Sequence, residues 1–191
     1  MPTPWLKRIQ KTKQLTVFNK AGAWSDSVDT AIGTFNALPF CVTLVAEKKE
    51  EKSANIVVLL ANGPQQYKYY GDTVKTDPSF KSDMPHGQTS TLGDPRTHEI
   101  FFAAIFLPGK IPKLTKGQKE VIIVHEFIHA SGGLTNDEHD STGIFFGYMT
   151  ITGDGMLESL PEEGAKLMPP IRLGPRTATK MQTAWPGGLC I

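Results

Sequence analysis

The chain has 191 residues, which suits one domain and is too short for two ordinary ones. Hydrophobic residues make up 39% of it and charged residues 20%, so a disordered polymer is excluded and a buried core is allowed. The 20 lysines and arginines balance 19 aspartates and glutamates, which gives no support to nucleic-acid binding through bulk charge. No apolar run reaches the roughly 18 residues of a membrane span. We therefore expect one domain over residues 1–191, a monomer without nucleic-acid or membrane partners.

Residues 1–20 are predicted to form a basic N-terminal arm. Lys7, Arg8, Lys11 and Lys13 lie in this segment, and no acidic residue does. The segment holds no apolar stretch of the kind found in signal peptides. The compartment therefore stays open between the cytoplasm and, for the mature form of a secreted protein, the cell exterior.

The two cysteines, Cys41 and Cys190, exclude a disulfide-scaffold mini-protein and a four-cysteine zinc site. Their spacing does not reveal whether they pair. Pairing would attach the C-terminal tail, but we expect one or both to be buried or free thiols.

The first predicted elements are a helix, two strands and a long loop. Apolar residues recur at steps of three and four over Trp24–Leu38, which indicates a helix with one apolar face. Val42–Glu47 and Asn55–Ala61 are short and β-branched, and they are predicted to form a strand pair. Residues 62–98 are rich in glycine, proline and polar residues, so a long functional or disordered loop is expected there. The apolar segment Glu99–Leu107 is the next predicted strand.

Two further helices are predicted in the second half of the chain. The segment 115–118 fits a capping box at the start of the first, and Gly132-Gly133 ends it. A C-terminal helix is predicted over about 175–185, between a Gly-Pro pair and a Pro-Gly-Gly sequence. This order of elements predicts an α+β fold.

One motif in the chain carries chemistry. His125-Glu126-Phe127-Ile128-His129 has the pattern H-E-x-x-H and lies within the first of these two helices. Residues four apart face the same side of a helix, so both imidazoles can reach one zinc ion at about 2.0–2.1 Å. Glu126 lies one step round the helix, where it can accept a proton from a water bound to the metal. The alternative is a buried helix whose histidines only bond to carbonyl groups, which is costly without a charge partner.

The motif extends to Gly132 as HExxHxxG, and it resembles the zinc helix of the metzincin clan of peptidases, the matrixin-like members in particular. The resemblance implies a single zincin-like domain of the α+β class. In it, a small mixed sheet packs on the zinc helix and on a second long helix, and a C-terminal helix follows. The resemblance also implies that Glu99–Leu107 lines the upper rim of the cleft, where an extended peptide adds as an antiparallel strand.

Zinc needs a third protein ligand, with water at the fourth position. In the metzincin pattern that ligand falls three residues after Gly132, at Thr135, which cannot bind zinc. The resemblance therefore implies a longer loop that delivers His139. The alternatives in the same segment are Asp140, then Asp137 or Glu138. A gluzincin-like arrangement would instead use a later glutamate, namely Glu158, Glu162 or Glu163.

Metzincins also have a methionine-containing turn beneath the zinc, shortly after the third ligand. The matching segment here ends in Tyr148 and Met149, and Met149 would be an apolar floor and not a ligand. Met156 is the other candidate, and an ordinary core methionine is the alternative. Tyr148 would either approach the zinc or pack as an ordinary aromatic. Residues 150–173 would be an extra segment after this turn.

We therefore expect a zinc-dependent endopeptidase, with Zn2+ bound by His125, His129 and His139 and with Glu126 as the general base. Its substrate would be a peptide or protein, and the acidic segment 121–165 favours basic residues near the cut. Three alternatives stay open. They are a zinc hydrolase of a non-protein amide of cell-wall type, a non-catalytic metal-binding domain that keeps the fold, and a structural protein with an accidental motif.

Overall fold

Four α-helices and ten β-strands are formed by the residues that the computed structural model describes, which are 2–83, 86–110, 116–135, 144–146, 149–150, 172–173 and 175–185. The helices are α1 (Lys7–Thr12), α2 (Ser25–Asn36), α3 (Lys116–Gly132) and α4 (Pro175–Ala184). The strands are β1 (Gln14–Lys20), β2 (Thr43–Glu47), β3 (Ile56–Ala61), β4 (Gln66–Tyr69), β5 (Asp72–Lys75), β6 (Gln88–Gly93), β7 (Ile100–Pro108), β8 (Ile144–Phe146), β9 (Met149–Thr150) and β10 (Arg172–Leu173). The fold is mixed α+β, as predicted. None of the helices in these ranges has the length and the apolar character that crossing a membrane requires.

A mixed five-stranded sheet, in the order β2-β1-β3-β7-β6, lies at the centre of the fold. β1 pairs in parallel with both β2 and β3, and β3 pairs in parallel with β7. β6 is antiparallel to β7 and forms one edge of the sheet. The β4–β5 hairpin and a three-stranded sheet of β10, β8 and β9 are hydrogen-bonded separately. The central sheet is therefore small and mixed, as expected.

The N-terminal segment is structured, so the predicted basic arm over residues 1–20 is wrong. The segment contains α1 and β1. β1 lies between β2 and β3, so the two segments of the predicted strand pair form strands but do not pair with each other. Leu15 and Val17 of β1 are buried and alternate with Gln14, Thr16 and Phe18, which are more exposed. This period-two pattern is that of a half-buried strand, and the surrounding lysines disguise it in the sequence.

The predicted long loop over 62–98 is also wrong, because this segment holds β4, β5 and β6. Aromatic packing explains the hairpin. The Tyr69 ring stacks on Phe102 of β7 with centroids 3.9 Å apart, and Tyr67 stacks on the same ring at 5.6 Å. Val74 of β5 is buried in the same apolar cluster. The β4–β5 hairpin therefore covers one face of the five-stranded sheet.

The helices α2 and α3 cover the opposite face of the sheet. Their apolar side chains join those of β1, β3 and β7 in one buried cluster. Phe127 of α3 contacts Phe35 of α2 edge to face, with centroids 6.1 Å apart. The predicted helix Trp24–Leu38 is confirmed as α2, and the predicted C-terminal helix is confirmed as α4, whose Met181 packs in the same cluster.

The predicted strand Glu99–Leu107 is β7, but its place in the sheet differs from the one that the metzincin resemblance implies. β7 is paired on both sides, with β3 and with β6. A strand that is hydrogen-bonded on both sides cannot accept a further strand. The expectation that a peptide adds to Glu99–Leu107 is therefore wrong, and the edge of the sheet belongs to β6.

Cys41 takes part in a disulfide bond. It is buried, and it lies between α2 and β2 in the chain. The expectation of unpaired thiols is therefore wrong for Cys41, and Cys190 lies outside the described residues.

The C-terminal end of α3 is held from two distant parts of the chain. The Trp5 indole is fully buried, and its Nε1 donates to the carbonyl oxygens of Ala130 and Ser131 at 3.1 and 3.0 Å. Trp185, which follows α4, also donates to the Ser131 carbonyl at 2.9 Å. The last carbonyl groups of a helix have no partner inside the helix. The two indoles supply those partners where water has no access.

Replacing Trp5 with phenylalanine should lower the free energy of unfolding by about 1–3 kcal/mol more than replacing Trp24 with phenylalanine. Both tryptophans are buried, but the Trp24 indole makes no hydrogen bond within the part of the chain that the structure describes. Trp5→Phe, in contrast, removes the indole donor from the Ala130 carbonyl and one of two donors from Ser131. Urea unfolding of both variants measures the difference. Equal losses would mean that the indole bonds add nothing beyond packing.

Candidate metal centre

The helix α3 carries the H-E-x-x-H motif in a largely buried setting. Every residue over 121–132 except His125 is buried. The helix ends at the predicted place, because Gly133 has a φ of +58°, a conformation that glycine adopts without side-chain strain. A Cβ at position 133 would also collide with the carbonyl oxygen of Thr3. Glycine is therefore required there by the turn and by the close approach of the N-terminal segment.

His125 and His129 turn their rings toward each other on one face of α3. Their Nε2 atoms are 3.0 Å apart, and their ring planes cross at 75° with centroids 4.6 Å apart. The spacing of four residues brings the two rings together as the helix geometry predicts. His129 is only 7% exposed, whereas His125 is half-buried. Solvent therefore reaches the pair from the side of His125.

The ring of His129 is oriented by the turn that follows α3. Its Nδ1 lies 2.8 Å from the carbonyl oxygen of Leu134, and a carbonyl only accepts, so Nδ1 carries the proton. Burial lowers the pKa of His129 below its ordinary value, and the bond to Leu134 acts more weakly in the opposite direction. A neutral ring protonated on Nδ1 has its lone pair on Nε2. This is the form of histidine that binds metals.

The two facing nitrogens fit a shared zinc ion. In a tetrahedral site with Zn–N distances of about 2.0–2.1 Å, two ligand nitrogens lie about 3.3 Å apart. The observed separation of 3.0 Å is close to that value. Among the described residues, no group of three or more His, Cys, Asp or Glu side chains is arranged to hold a metal ion. The predicted third ligand, His139, lies outside the described residues, and so do its alternatives: Asp140, Asp137, Glu138, Glu158, Glu162 and Glu163.

The predicted methionine turn is described only in part. Met149 is the first residue of β9, and its backbone pairs with Phe146 of β8. Tyr148 lies outside the described residues. In the segment 150–173 the structure describes only residues 150, 172 and 173. The place of the Met149 side chain beneath the zinc stays a prediction.

The side chain of Glu126 is held by residues of the edge strand β6 and the residue before it. Glu126 is only 3% exposed, and the Thr89 hydroxyl donates to its Oε2 at 2.7 Å. Gly87 approaches so closely that a Cβ there would lie 2.8 Å from the Cγ of Glu126. Neither contact has a local signal in the sequence, because 37 residues separate Thr89 from Glu126. The structure therefore adds Thr89 and Gly87 to the predicted site.

The described part of the centre holds two imidazole nitrogens that face each other and, on the next residue of α3 after His125, a buried carboxylate. Imidazole nitrogens suit zinc among several metals, and a carboxylate beside a metal can move protons. No protein-family model, curated protein or solved structure matches the chain.

The geometry predicts opposite tautomers for the two histidines in the metal-free protein. His129 donates from Nδ1, so its Nε2 can only accept, and the proton between the rings must be on the Nε2 of His125. Adding zinc should move the His125 proton to Nδ1. Long-range 1H–15N correlation spectra of protein labelled with 15N-histidine, recorded above the ordinary histidine pKa, distinguish these forms. The exposed His98 is the reference, and a His129 protonated on Nε2 would contradict the arrangement.

Proposed function

We propose that the protein is a zinc-dependent endopeptidase of the metzincin, matrixin-like kind. The observation that carries the proposal is the convergence of the Nε2 atoms of His125 and His129, 3.0 Å apart, one helical step from the buried carboxylate of Glu126. Two supports hold this set in place: the Leu134 carbonyl orients His129, and the Thr89 hydroxyl holds Glu126. Buried polar groups need partners in any helix, so the convergence of the two Nε2 atoms supports the proposal more strongly than these two bonds do.

The fold around α3 is consistent with the proposed family. The helix packs on a mixed sheet beside a second helix, α2, and α4 packs in the same apolar cluster. The order from α2 through the strands to α3 and α4 is the order that the resemblance implies. This agreement is architectural, and the chemistry of the motif supplies the more specific support.

His125, His129 and His139 would hold one zinc ion per chain. When bound, zinc polarises the scissile carbonyl and lowers the pKa of a coordinated water. The chain contributes the orientation of the ligands before binding. His129 is already turned by its bond to Leu134, so only His125 has to give up the proton on Nε2.

Glu126 is the proposed general base. Its carboxylate accepts a proton from the attacking water and delivers that proton to the amine of the leaving group. Because Glu126 is next to His125 in the helix but one step round its axis, it lies beside the ligands rather than among them. Its burial excludes competing water, which strengthens its interactions with polar groups in the site.

The proposed substrate is an extended peptide that adds to the edge strand β6. β6 is at the end of the five-stranded sheet, so only one of its two sides is paired within that sheet. It also contacts α3, because the Thr89 hydroxyl of β6 bonds to the Glu126 carboxylate of α3. Main-chain hydrogen bonds to an edge strand give affinity that depends little on the peptide sequence. A peptide in this place would pass close to the general base.

Glu126→Gln should keep the fold and bind one zinc ion per chain, but it should lower hydrolysis by about 10²-fold or more, because an amide cannot act as the base. Zinc content by atomic absorption and casein digestion measure the two effects. Glu120→Gln is the matched control, since Glu120 lies on the same helix but its carboxylate accepts from Thr34 of α2. Comparable turnover by Glu126→Gln would refute the mechanism. Release of peptidoglycan fragments without digestion of casein or gelatin would instead favour a cell-wall amide as substrate.

His139→Ala should lose most of the affinity for zinc, whereas Asp140→Ala should lose little. The expectation follows from the need for a third ligand besides His125 and His129 and from the preference of zinc for imidazole nitrogen. Competition with a chromogenic chelator measures both affinities. The opposite result would make Asp140 the third ligand.

A further inference from the structure

The orientation of Thr89 is set by the pleat of the edge strand β6. Thr89 lies opposite Ile105, whose side chain is in the cluster beneath α2 and α3. Ser90 lies opposite Ala104 in the cluster beneath the β4–β5 hairpin, and its hydroxyl donates to the main chain of β5 at 2.7 Å. Successive residues of a strand point to opposite faces. Thr89 is therefore directed at α3, and the sheet register fixes that direction.

The Thr89 hydroxyl has one proton and two acceptors within reach, both on Glu126. Its oxygen lies 2.7 Å from Oε2 and 3.2 Å from the main-chain carbonyl oxygen. The shorter contact has the better hydrogen-bond distance, and an ionised carboxylate is the stronger acceptor. The bond therefore fixes one oxygen of the carboxylate relative to β6.

Gly87 limits the Glu126 side chain from a second direction. A Cβ at position 87 would lie 2.8 Å from Cγ, 3.1 Å from Cδ and 3.2 Å from Oε1 of Glu126. These distances are below van der Waals contact, so only glycine leaves room for the carboxylate in its present place. The side chain lies between the Gly87 backbone and the Thr89 hydroxyl, and its torsions are restricted by both.

We propose that Thr89 is a positioning residue for the general base, and that Gly87 provides the space in which Thr89 holds the carboxylate. The inference rests on the proposed function, since Glu126 acts as a base only if hydrolysis is the reaction. A displacement of about 1 Å in a catalytic group can cost on the order of 10²-fold in rate. Thr89 acts through Glu126 and contacts no reacting atom.

The role of Thr89 also connects substrate binding to catalysis. The proposed peptide would bind to β6, and β6 also holds the carboxylate of the base through Thr89. The position of the carboxylate relative to the peptide is therefore set by a single strand. Loss of the hydroxyl leaves the main chain of β6 intact. It should therefore act on kcat and leave KM nearly unchanged.

The first test is steady-state hydrolysis of casein-derived peptides by zinc-loaded protein. Thr89→Val keeps the shape of the side chain without the hydroxyl and should lower kcat by about 10- to 100-fold with little change in KM. Thr89→Ser restores the hydroxyl and should recover most of the kcat. Thr73→Val, on β5 of the hairpin that covers the face of the sheet opposite α3, controls for the exchange of a strand threonine. Equal losses in Thr89→Val and Thr89→Ser would overturn the inference, and so would an unchanged kcat in Thr89→Val.

The second test needs neither zinc nor activity. Thermal unfolding in the presence of a chelator is compared for Thr89→Val, Glu126→Met and the double variant. Thr89→Val should lower Tm by about 3–6 °C when Glu126 is present, because a charge-assisted bond is lost. In the Glu126→Met background the same change should lower Tm by less than half as much, since only the uncharged main-chain carbonyl at 3.2 Å remains as an acceptor there. Equal shifts in the two backgrounds would overturn the inference.

The two tests separate this inference from the proposed function. If Glu126→Gln is inactive but Thr89→Val keeps full kcat and shows no coupling, the inference fails and the proposed function stands. If zinc-loaded wild-type protein hydrolyses no peptide while the coupling in Tm is present, the proposed function fails, and the positioning role in catalysis fails with it.

Discussion

The cost of burying polar groups governs the structure around α3. The helix places a carboxylate, an imidazole and its own last carbonyl groups beside an apolar sheet, where unpartnered polar atoms are costly. Each group obtains its partner from a different part of the chain: Thr89 for Glu126, Leu134 for His129, and two indoles for the end of the helix. These bonds determine how β6, the N-terminal segment and α4 must be placed.

The parts of the fold that have local signals could be predicted from the sequence. The limits of α2, α3 and α4 follow from apolar periodicity and from glycine and proline at their ends, and the H-E-x-x-H spacing predicts the facing histidines. β7 is recognisable because it is buried almost throughout and has a continuous apolar run. In each case the physical cause lies within a few residues of its effect, so one window of sequence contains the information.

The other parts depend on contacts between distant residues. β1 is disguised because four of its seven residues are polar, and only its neighbours β2 and β3 make it a central strand. The β4–β5 hairpin depends on the stacking of Tyr69 on Phe102. Thr89 and Gly87, the partners of Glu126, could not be predicted from the sequence. No periodicity or motif around them points to α3, and Thr89 lies 37 residues from Glu126 along the chain.

The two indole bonds to one carbonyl group bear on the order in which the chain folds. Trp5 and Trp185 lie 126 and 54 residues from Ser131 along the sequence, and both bond to its carbonyl oxygen. During synthesis Trp5 is translated before α3, and Trp185 is translated 54 residues after Ser131. The C-terminal end of α3 can therefore bond to the Trp5 indole before the Trp185 indole has been translated. Such long-range closure is slow, because loop entropy is lost before the contact forms. The histidine-bearing helix should thus be among the last parts of the molecule to reach its final rigidity.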